Sequence, residues 1–599
     1  MMDQVQTLSV LGLPDELLLK VFMLLTVEGV RCVSLTCARF SRIAREQHLW
    51  KTMFQRDFKV PQSVSLRPKA SSWLAEYRRL YDESPAVLCE ELMGHADEVW
   101  HISFSHNGKM FATCSKDGLV KVWEATTPFI VRYTADMKTR LNWHYTLCSQ
   151  FNESDSLLLV AGVREYVKGE VVIFDLNQDL KLVRRILNRP SSVYGTWFDD
   201  HHVLSGTLHP TDFIFSVWLA KATREVKSNR KYDMINPYRF KFLTNGGIAN
   251  LMVADAPIQT EVPTSTSVGQ FAACSEFGQN GPHSDLNESL LGCHDKMPSH
   301  RNQVCECGQD ATGCAVHASV PIIQNTTTSS PPTQNRSTTS RKNKPALDSP
   351  QVRSLTKAQT EKLLIFTYGE VCFHPHMVGI TRIREDEILE EEEAREGLRW
   401  PETDKGFFKF LPYTYSDVGG TGRLSIPDHS FNTNGRIVGM ALCPDQRYLY
   451  VNTRRWTRDY VIEDGTEPPI ADEIDIHTIS LLSFTKVDTV LWSHKAFIPD
   501  QDFPLDLDVN EVYVASGSGD NQGYMWDRHY GVHVRCFPHD KVISSYSSHD
   551  NAVNSCAFNP VDPEMLVTVS DDTKIKIWRS RRQMREMPKR ELTPDDCKL

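Results

Sequence analysis

The sequence has no uninterrupted apolar run long enough to cross a bilayer. A membrane-spanning helix needs ~18 or more consecutive apolar residues. The apolar stretch near the N-terminus is broken by Pro14, Asp15, Glu16 and Lys20. We therefore expect neither a transmembrane anchor nor a secretory signal peptide, and no membrane partner.

A disulfide framework and a strong excess of one charge are also lacking. The 15 cysteines are odd in number and scattered through 599 residues, a length that can build a core without crosslinks. We expect reduced thiols and a cytoplasmic protein, with the nucleus as a second location. The net charge is only −10, because 66 Lys and Arg oppose 76 Asp and Glu. This disfavours nucleic-acid binding and favours protein partners.

Motifs that signal catalysis are missing as well. We find no P-loop, no HExxH and no G-x-S-x-G element. Cys305, Cys307, Cys314 and His317 are potential zinc ligands, but their spacing is unusual and their surroundings have low complexity. Free thiols are the preferred interpretation. We therefore predict no catalytic residue, no metal and no cofactor, with an enzyme of unrecognised site as an alternative.

Apolar positions near the N-terminus recur at spacings of three and four residues, which predicts an amphipathic helix. These positions are Leu17, Leu18, Val21, Phe22 and Leu25. A second helix is predicted around residues 30–40, and residues 51–86 read as a packed, fairly rigid helical connector. The same pattern also fits a helical cap that packs its apolar positions on the rest of the chain.

After Pro85 the pattern becomes strand-like, and one set of offsets occurs three times. In each copy a His precedes a Ser, the Ser stands two residues before an Asp, and the Asp stands six residues before a Trp. The sets are His95, Ser115, Asp117 and Trp123; His494, Ser518, Asp520 and Trp526; and His549, Ser570, Asp572 and Trp578. We predict a structural hydrogen-bond relay that ties strands together.

Repeats of roughly 40–50 residues with a Trp-Asp ending resemble WD-repeat propeller blades. Weaker copies lie at residues 140–178, 190–220 and 435–485, and a split copy has strands at 240–243, 251–254, 363–366 and 379–383. Counting the split copy predicts seven blades. Residues 87–92 are expected to supply the outer strand of the last blade and so join the ends of the ring.

The N-terminal unit resembles an F-box. The likeness is carried by Leu13-Pro14-Asp15-Glu16-Leu17-Leu18, Val21-Phe22, Leu25, Cys37-Ala38-Arg39-Phe40 and Leu49-Trp50-Lys51. With the repeats, the chain resembles the F-box and WD-repeat family. The resemblance implies an all-β WD-repeat propeller preceded by a small all-α F-box and a helical linker.

The same resemblance implies a function. Family members are non-catalytic substrate receptors of SCF-type cullin-RING ubiquitin ligases, in which the F-box docks on a Skp-type adaptor and the propeller holds a protein substrate. The positions that match the adaptor-contacting residues are Leu13, Pro14, Glu16, Leu17, Val21, Phe22 and Leu25.

Two alternatives to this function stay open. The family is also associated with a damage-binding adaptor that recognises a Trp-Asp-x-Arg blade ending, a motif that is imperfect here. Its candidate residues are Trp526, Asp527, Arg528, Trp578 and Arg581. The other alternative is a scaffold outside any ligase, whose helices pack on its own propeller. Exposure of the stripe formed by Leu17, Val21 and Phe22 distinguishes these possibilities.

The predicted organisation follows the changes in pattern and composition. It comprises an F-box at 13–58, a helical linker at 59–86, propeller blades at 87–255, a disordered insertion at 256–360, completion of the split blade at 361–384, an acidic loop at 385–432, the last blades at 433–580 and a basic tail at 581–599.

Overall fold

The computed structural model describes most of the chain outside the predicted insertion. The described residues are 10–164, 168–188, 195–209, 214–222, 239–243, 250–257, 361–370, 372, 374–384, 426–457, 467–496, 505–541 and 551–587. Residues 258–360, including the cysteine cluster considered for zinc, lie outside these ranges. Most of the predicted acidic loop, His549 and the last residues of the basic tail also lie outside them.

Short helices build the N-terminal unit. They are a 3-10 turn at Val10–Gly12, α1 at Asp15–Phe22, α2 at Val27–Ser34, α3 at Ala38–Ile43, α4 at Gln47–Asp57 and α5 at Trp73–Asp82. Where one helix was predicted around residues 30–40, the chain forms two. Cys37 is extended at the break, and its Sγ accepts a hydrogen bond from the N–H of Phe40 and so caps α3. No described helix is long and apolar enough to cross a membrane.

The strands form seven four-stranded antiparallel sheets within the described residues, in agreement with the predicted propeller. Blade 1 contains Val99–Phe104, Met110–Ser115, Leu119–Glu124 and Val131–Asp136; blade 2 contains Trp143–Phe151, Leu157–Arg164, Lys168–Asp175 and Lys181–Asn188; blade 3 contains Gly195–Trp197, His202–His209, Ile214–Lys221 and Arg239–Leu243. Blade 4 contains Leu251–Asp255, Glu361–Tyr368, Met377–Arg384 and His429–Asn432; blade 5 contains Gly435–Leu442, Tyr448–Trp456, Ile470–Ser480 and Thr485–Lys495.

The last two blades complete the ring. Blade 6 contains Leu507–Val509, Tyr513–Ser516, Gln522–Asp527 and His533–Pro538, and blade 7 contains Val553–Phe558, Met565–Ser570, Ile575–Ser580 and Pro85–Leu92. Leu88 pairs with Trp578 across blade 7, which confirms that a segment before blade 1 closes the ring. Two further helices, α6 at Met137–Leu141 and α7 at Arg581–Glu586, follow blade 1 and blade 7.

Two predicted strand assignments at the split blade are wrong. Phe240 pairs with Val217, so Arg239–Leu243 is the outer strand of blade 3 and not part of blade 4. The outer strand of blade 4 is His429–Asn432, inside the predicted acidic loop, where Ser430 pairs with Gly379. Blade 4 is interrupted twice: between its first and second strands, and between its third and fourth strands. The second interruption separates the outer strand from the other three strands of the blade in the sequence.

The core of the propeller lies between neighbouring sheets. The second strands of blades 1 and 7, Met110–Ser115 and Met565–Ser570, are buried at every position. Between blades 1 and 2, Val120 and Val122 pack in one apolar cluster with Leu158 and Val160. Each sheet therefore buries both faces, which explains why its central strands read as continuous apolar runs.

Candidate functional site: the exposed face of the helical unit and its joint with blade 6

Helix α1 has one buried face. Leu18 and Phe22 are buried, and the ring of Phe22 meets that of Phe40 edge-on with centroids 5.4 Å apart. Phe22 was predicted to contact an adaptor, but its side chain is only 3% exposed in this structure. Because Leu18 and Phe22 are four residues apart, they share the helix face that packs on α3.

The opposite face of α1 presents apolar side chains to solvent. Leu17, Val21 and Leu24 are 44%, 45% and 84% exposed, and we call these three residues the apolar stripe. Their spacing of four and three residues places them on one side of the helix and its C-terminal turn. Leu24 was missed in favour of Leu25, which packs partly against the core because the helix ends at Phe22. Pro14 and Glu16 are exposed, and Leu13 is partly buried.

Ionic and backbone contacts hold α1 in place. Asp15 accepts a hydrogen bond from Nε of Arg39 at 2.7 Å and also pairs with Arg42, both on α3. At the other end, Arg56 of α4 donates to the carbonyl oxygens of Met23 and Leu25. Both ends of the apolar stripe are therefore fixed to neighbouring helices.

The helical unit and the propeller share one apolar core. Leu18 on α1 and Trp578 in blade 7 belong to the same buried cluster. At its centre the rings of Phe54 and Tyr530 have centroids 5.0 Å apart, and the Tyr530 hydroxyl accepts a hydrogen bond from the N–H of Arg67. The helices therefore pack on blade 6 at the end of its strands near residues 527–532.

A buried ionic cluster strengthens this joint. Arg79 of α5 donates to Asp527 of blade 6 at 2.7 Å and to Glu76 at 2.9 Å, and both carboxylates are buried. Burial opposes the charge on Arg79, yet Asp527, Tyr513 and Glu76 together raise the pKa of its guanidinium. Burial raises the pKa of Tyr513, whose hydroxyl also contacts Arg79. The guanidinium of Arg79 therefore keeps its charge and fixes α5 to the blade.

The candidate residues for a damage-binding adaptor are used inside the protein. Trp526, Asp527 and Trp578 are buried. Arg528 donates to the Tyr450 hydroxyl at 2.9 Å, and Arg581 donates to the Tyr81 carbonyl at 2.7 Å. These five side chains do not form an exposed docking surface.

The relay is formed in blades 1 and 7, but through different hydroxyl groups from those predicted. In blade 1, Nδ1 of His95 lies 2.9 Å from Asp117, and Thr113 Oγ1 lies 2.8 Å from Nε2 of His95 and accepts from Trp123 at 3.0 Å. In blade 7, Thr568 joins His539 and Trp578 in the same way, and His539 pairs with Asp572. His539 thus takes the role assigned to His549.

The predicted serines bond to backbone carbonyls instead, because the pairing of the second and third strands places them away from the tryptophan. Ser115 donates to the carbonyl of Asp97, and Ser570 donates to that of Ala552. Trp123 faces Phe111 across the strand pair, so Thr113 is its diagonal neighbour on the same sheet face. Ser115 lies two residues further along the strand, out of reach of the indole. The linking hydroxyl therefore stands ten residues before the Trp, not eight.

In blade 6 the relay is incomplete. Nε2 of His494 lies 3.0 Å from Ser516 Oγ, which stands ten residues before Trp526. Asp520 accepts from the Tyr524 hydroxyl at 2.7 Å instead of pairing with His494. Ser518 donates to the Lys495 carbonyl. His494, Ser518, Asp520 and Trp526 therefore do not form the predicted hydrogen-bond relay in this blade.

Comparison with known proteins agrees with this architecture. A profile described as F-box-like matches residues 10–56, and a profile described as WD domain, G-beta repeat matches residues 87–124 and 540–579. F-box/WD repeat-containing protein 5 of mouse is 33% identical over 602 residues, covering 96% of this chain and 94% of its own. The human protein of that name is 33% identical over 594 residues, covering 96% of this chain and 95% of its own.

Local likeness extends to another WD-repeat protein. The WD repeat-containing protein 26 homolog of Drosophila melanogaster is 36% identical over 70 residues, only 12% of this chain. The likeness to the F-box/WD proteins, by contrast, runs through the helices and the propeller together. The chain therefore belongs to the family of F-box/WD repeat-containing protein 5.

Proposed function

We propose that this protein is the substrate-recognition subunit of an SCF-type cullin-RING ubiquitin ligase. The observation that carries the proposal is the apolar stripe, which stays open to solvent while the other face of α1 is anchored in the shared core. An apolar helix face of this kind fits a groove on a partner protein. The F-box-like match covers the same helices, which supports a Skp-type adaptor as that partner.

The proposed mechanism is proximity without a covalent step by this chain. The propeller holds a protein substrate, the helical unit holds the adaptor, and the ligase's conjugating enzyme transfers ubiquitin to the substrate for proteasomal degradation. Joining the two sites in one body raises the effective concentration of substrate at the transfer centre. The buried Arg79–Asp527 pair supports this role because it holds the two sites in one orientation.

We further propose that the protein acts in the cytoplasm, with the nucleus as the second location. The nine cysteines among the described residues are all free, which is compatible with a reducing compartment. Fluorescence imaging of the tagged full chain tests the location; an exclusively secreted or organellar signal would contradict it.

The test is binding of the full chain to a purified Skp-type adaptor, comparing wild type with the double variant Leu17→Gln and Val21→Gln. Both side chains are about half exposed, so the fold should be retained while the apolar contact is lost. We expect binding weaker by on the order of a hundredfold, measured by calorimetry. Leu482→Gln, at a 50% exposed position in the propeller, is the matched control and should bind as wild type does.

The other outcomes distinguish the alternatives. Binding to a purified damage-binding adaptor without binding to the Skp-type adaptor would assign the protein to the second class of ligase. Absence of both interactions in a folded sample would favour a scaffold, and equal loss in the Leu482→Gln control would remove the apolar stripe as the docking face.

A further inference from the structure

Tyr81 lies where the helical unit, the linker and the propeller meet. It stands in the last turn of α5, and its hydroxyl donates a hydrogen bond to the carboxylate of Glu28 on α2, at the surface. Its carbonyl accepts from Arg581 of α7. One side chain therefore joins α2 to α5 at a position that solvent reaches.

Two guanidinium groups flank the ring of Tyr81. The guanidinium carbon of Arg581 lies 4.4 Å from the ring centroid, and that of Arg535, on the outer strand of blade 6, lies 5.8 Å away. Each cation gains from the electron-rich ring, but neither is neutralised by it.

Two donor atoms of Arg535 lack a partner among the described residues. Its Nε and Nη2 atoms are buried and have no hydrogen-bond acceptor within the described parts of the chain. Burial, together with the like charge of Arg581, lowers the pKa of Arg535. Buried donors of this kind normally have a partner, so an anion placed at the Tyr81 hydroxyl would meet two cations.

The opposite side of the hydroxyl carries a negative charge. The hydrogen bond from Tyr81 lowers the pKa of Glu28, so this carboxylate is ionised at neutral pH. An anion in place of the hydroxyl proton would lose that bond and be repelled by Glu28. An anion on the Tyr81 oxygen would therefore be repelled by Glu28 of α2 and attracted by Arg535 and Arg581.

We propose that Tyr81 is a phosphorylation site at which the phosphoryl group replaces the contact to Glu28 with contacts to Arg535 and Arg581. A tyrosine kinase transfers the γ-phosphoryl group of ATP to Oη of Tyr81. The bond from the γ-phosphorus to the bridging oxygen of ADP breaks, a bond from phosphorus to Oη forms, and the phenolic proton passes to the base of the kinase. ATP supplies the group, so no further reactant is needed.

The consequence is release of α2 from α5. The unmodified hydroxyl donates to Glu28, whereas the phosphorylated oxygen has no proton to donate. Because α2 belongs to the helical unit that carries the apolar stripe, the modification would regulate adaptor docking. The regulation of adaptor docking rests on the proposed function, whereas the modification of Tyr81 and the change of its contacts do not.

The experiment treats the folded full chain with MgATP and a panel of purified tyrosine kinase catalytic domains, and maps phosphotyrosine by mass spectrometry. We expect modification of Tyr81 but not of Tyr77, which lies four residues earlier on α5 and is 2% exposed. Tyr81→Phe keeps the ring and is the matched control. If every active kinase modifies an isolated peptide of residues 73–87 but leaves Tyr81 of the folded chain unmodified, the proposal is overturned.

Two readouts on the modified chain test the change of contacts without an adaptor. By ³¹P NMR, the two cations should lower the second pKa of the phosphoryl group by about 0.5 relative to the peptide. In the Arg535→Gln variant, this pKa should return most of the way to the value in the peptide. Amide exchange across Val27–Ser34 should become several-fold faster than in the unmodified chain. An unchanged phosphoryl pKa or unchanged exchange would overturn the proposed exchange of partners. Weaker adaptor binding is measured separately, so failure of the SCF assignment leaves these two results interpretable.

Discussion

Thr113 and Thr568 show how much depends on one hydroxyl group. Each accepts a hydrogen bond from a buried tryptophan and contacts Nε2 of a buried histidine, so the indole and that ring nitrogen lose their partner if the hydroxyl is removed. A buried polar group without a partner costs about 1–3 kcal/mol. These threonines therefore contribute more to the blades than their size suggests.

We predict that Thr113→Val lowers the free energy of unfolding by about 2–4 kcal/mol, because the isosteric change leaves the indole of Trp123 and Nε2 of His95 unsatisfied. Equilibrium urea unfolding measures the change. Thr134→Val, at an exposed position on the outer strand of the same blade, should change the free energy by less than about 0.5 kcal/mol. Similar losses in the two variants would argue against the relay through Thr113.

At this scale the sequence predicted the residue types of the relay but not its path. His95, Asp117 and Trp123 are joined as expected, whereas Ser115 was chosen because its fixed offset recurs in all three copies. Only the strand register reveals that Thr113 is the diagonal neighbour of the tryptophan. His549 was chosen because it precedes Ser570 in the last copy, and the histidine that reaches Asp572 is His539.

At the scale of elements, the joint between α5 and blade 6 combines an apolar core with a buried ionic cluster. The sequence indicated a packed, fairly rigid helical connector over residues 51–86, within which α5 forms at Trp73–Asp82, but not the partner of Arg79. Arg79 and Asp527 are 448 residues apart in the chain, and no local pattern links them. The face of α1 was likewise only partly predictable, because the end of the helix at Phe22 decides that Leu24 and not Leu25 is exposed.

We predict that Arg79→Met lowers the free energy of unfolding by about 3–5 kcal/mol, because the buried carboxylate of Asp527 loses its cation and that of Glu76 keeps only Arg67. Combining it with Asp527→Asn should cost less than the sum of the single variants. Arg78→Met, at the exposed neighbouring position, is the control and should be close to neutral. Thermal unfolding together with limited proteolysis of residues 59–72 measures the effect; additive losses would show that the two charges act independently.

At the scale of the whole molecule, the ring tolerates large interruptions of one blade because the strands on either side still pair. Asp255 and Lys362 are partners in the sheet although 107 positions separate them. Repeat pattern alone predicted seven blades and the closing strand at residues 87–92, both of which the sheets confirm. It failed at the outer strands of blades 3 and 4, where short segments carry too little pattern to be assigned to a sheet.

We predict that replacing residues 258–360 by a linker of about six Gly and Ser residues leaves the melting temperature within a few degrees of wild type, since the ends already meet and loop-closure entropy depends weakly on length. Differential scanning calorimetry measures it. Leu88→Pro, which disrupts the pairing with Trp578, is the control for sensitivity and should lower the melting temperature markedly. A comparable decrease in the linker variant would mean that the replaced residues stabilise the ring.

The strand Pro85–Leu92 has a further consequence, for the order in which the protein is made. A ribosome makes this strand before the other described strands of the ring, whereas its partner Ile575–Ser580 is made after them. The aromatic residues of blades 6 and 7 that cover α4 and α5 are likewise made long after these helices. Until Ile575–Ser580 is made, the helices, blade 1 and blade 6 lack their final neighbours, and apolar surface stays uncovered. Nascent chains of this protein should depend on chaperones until the last blade is complete.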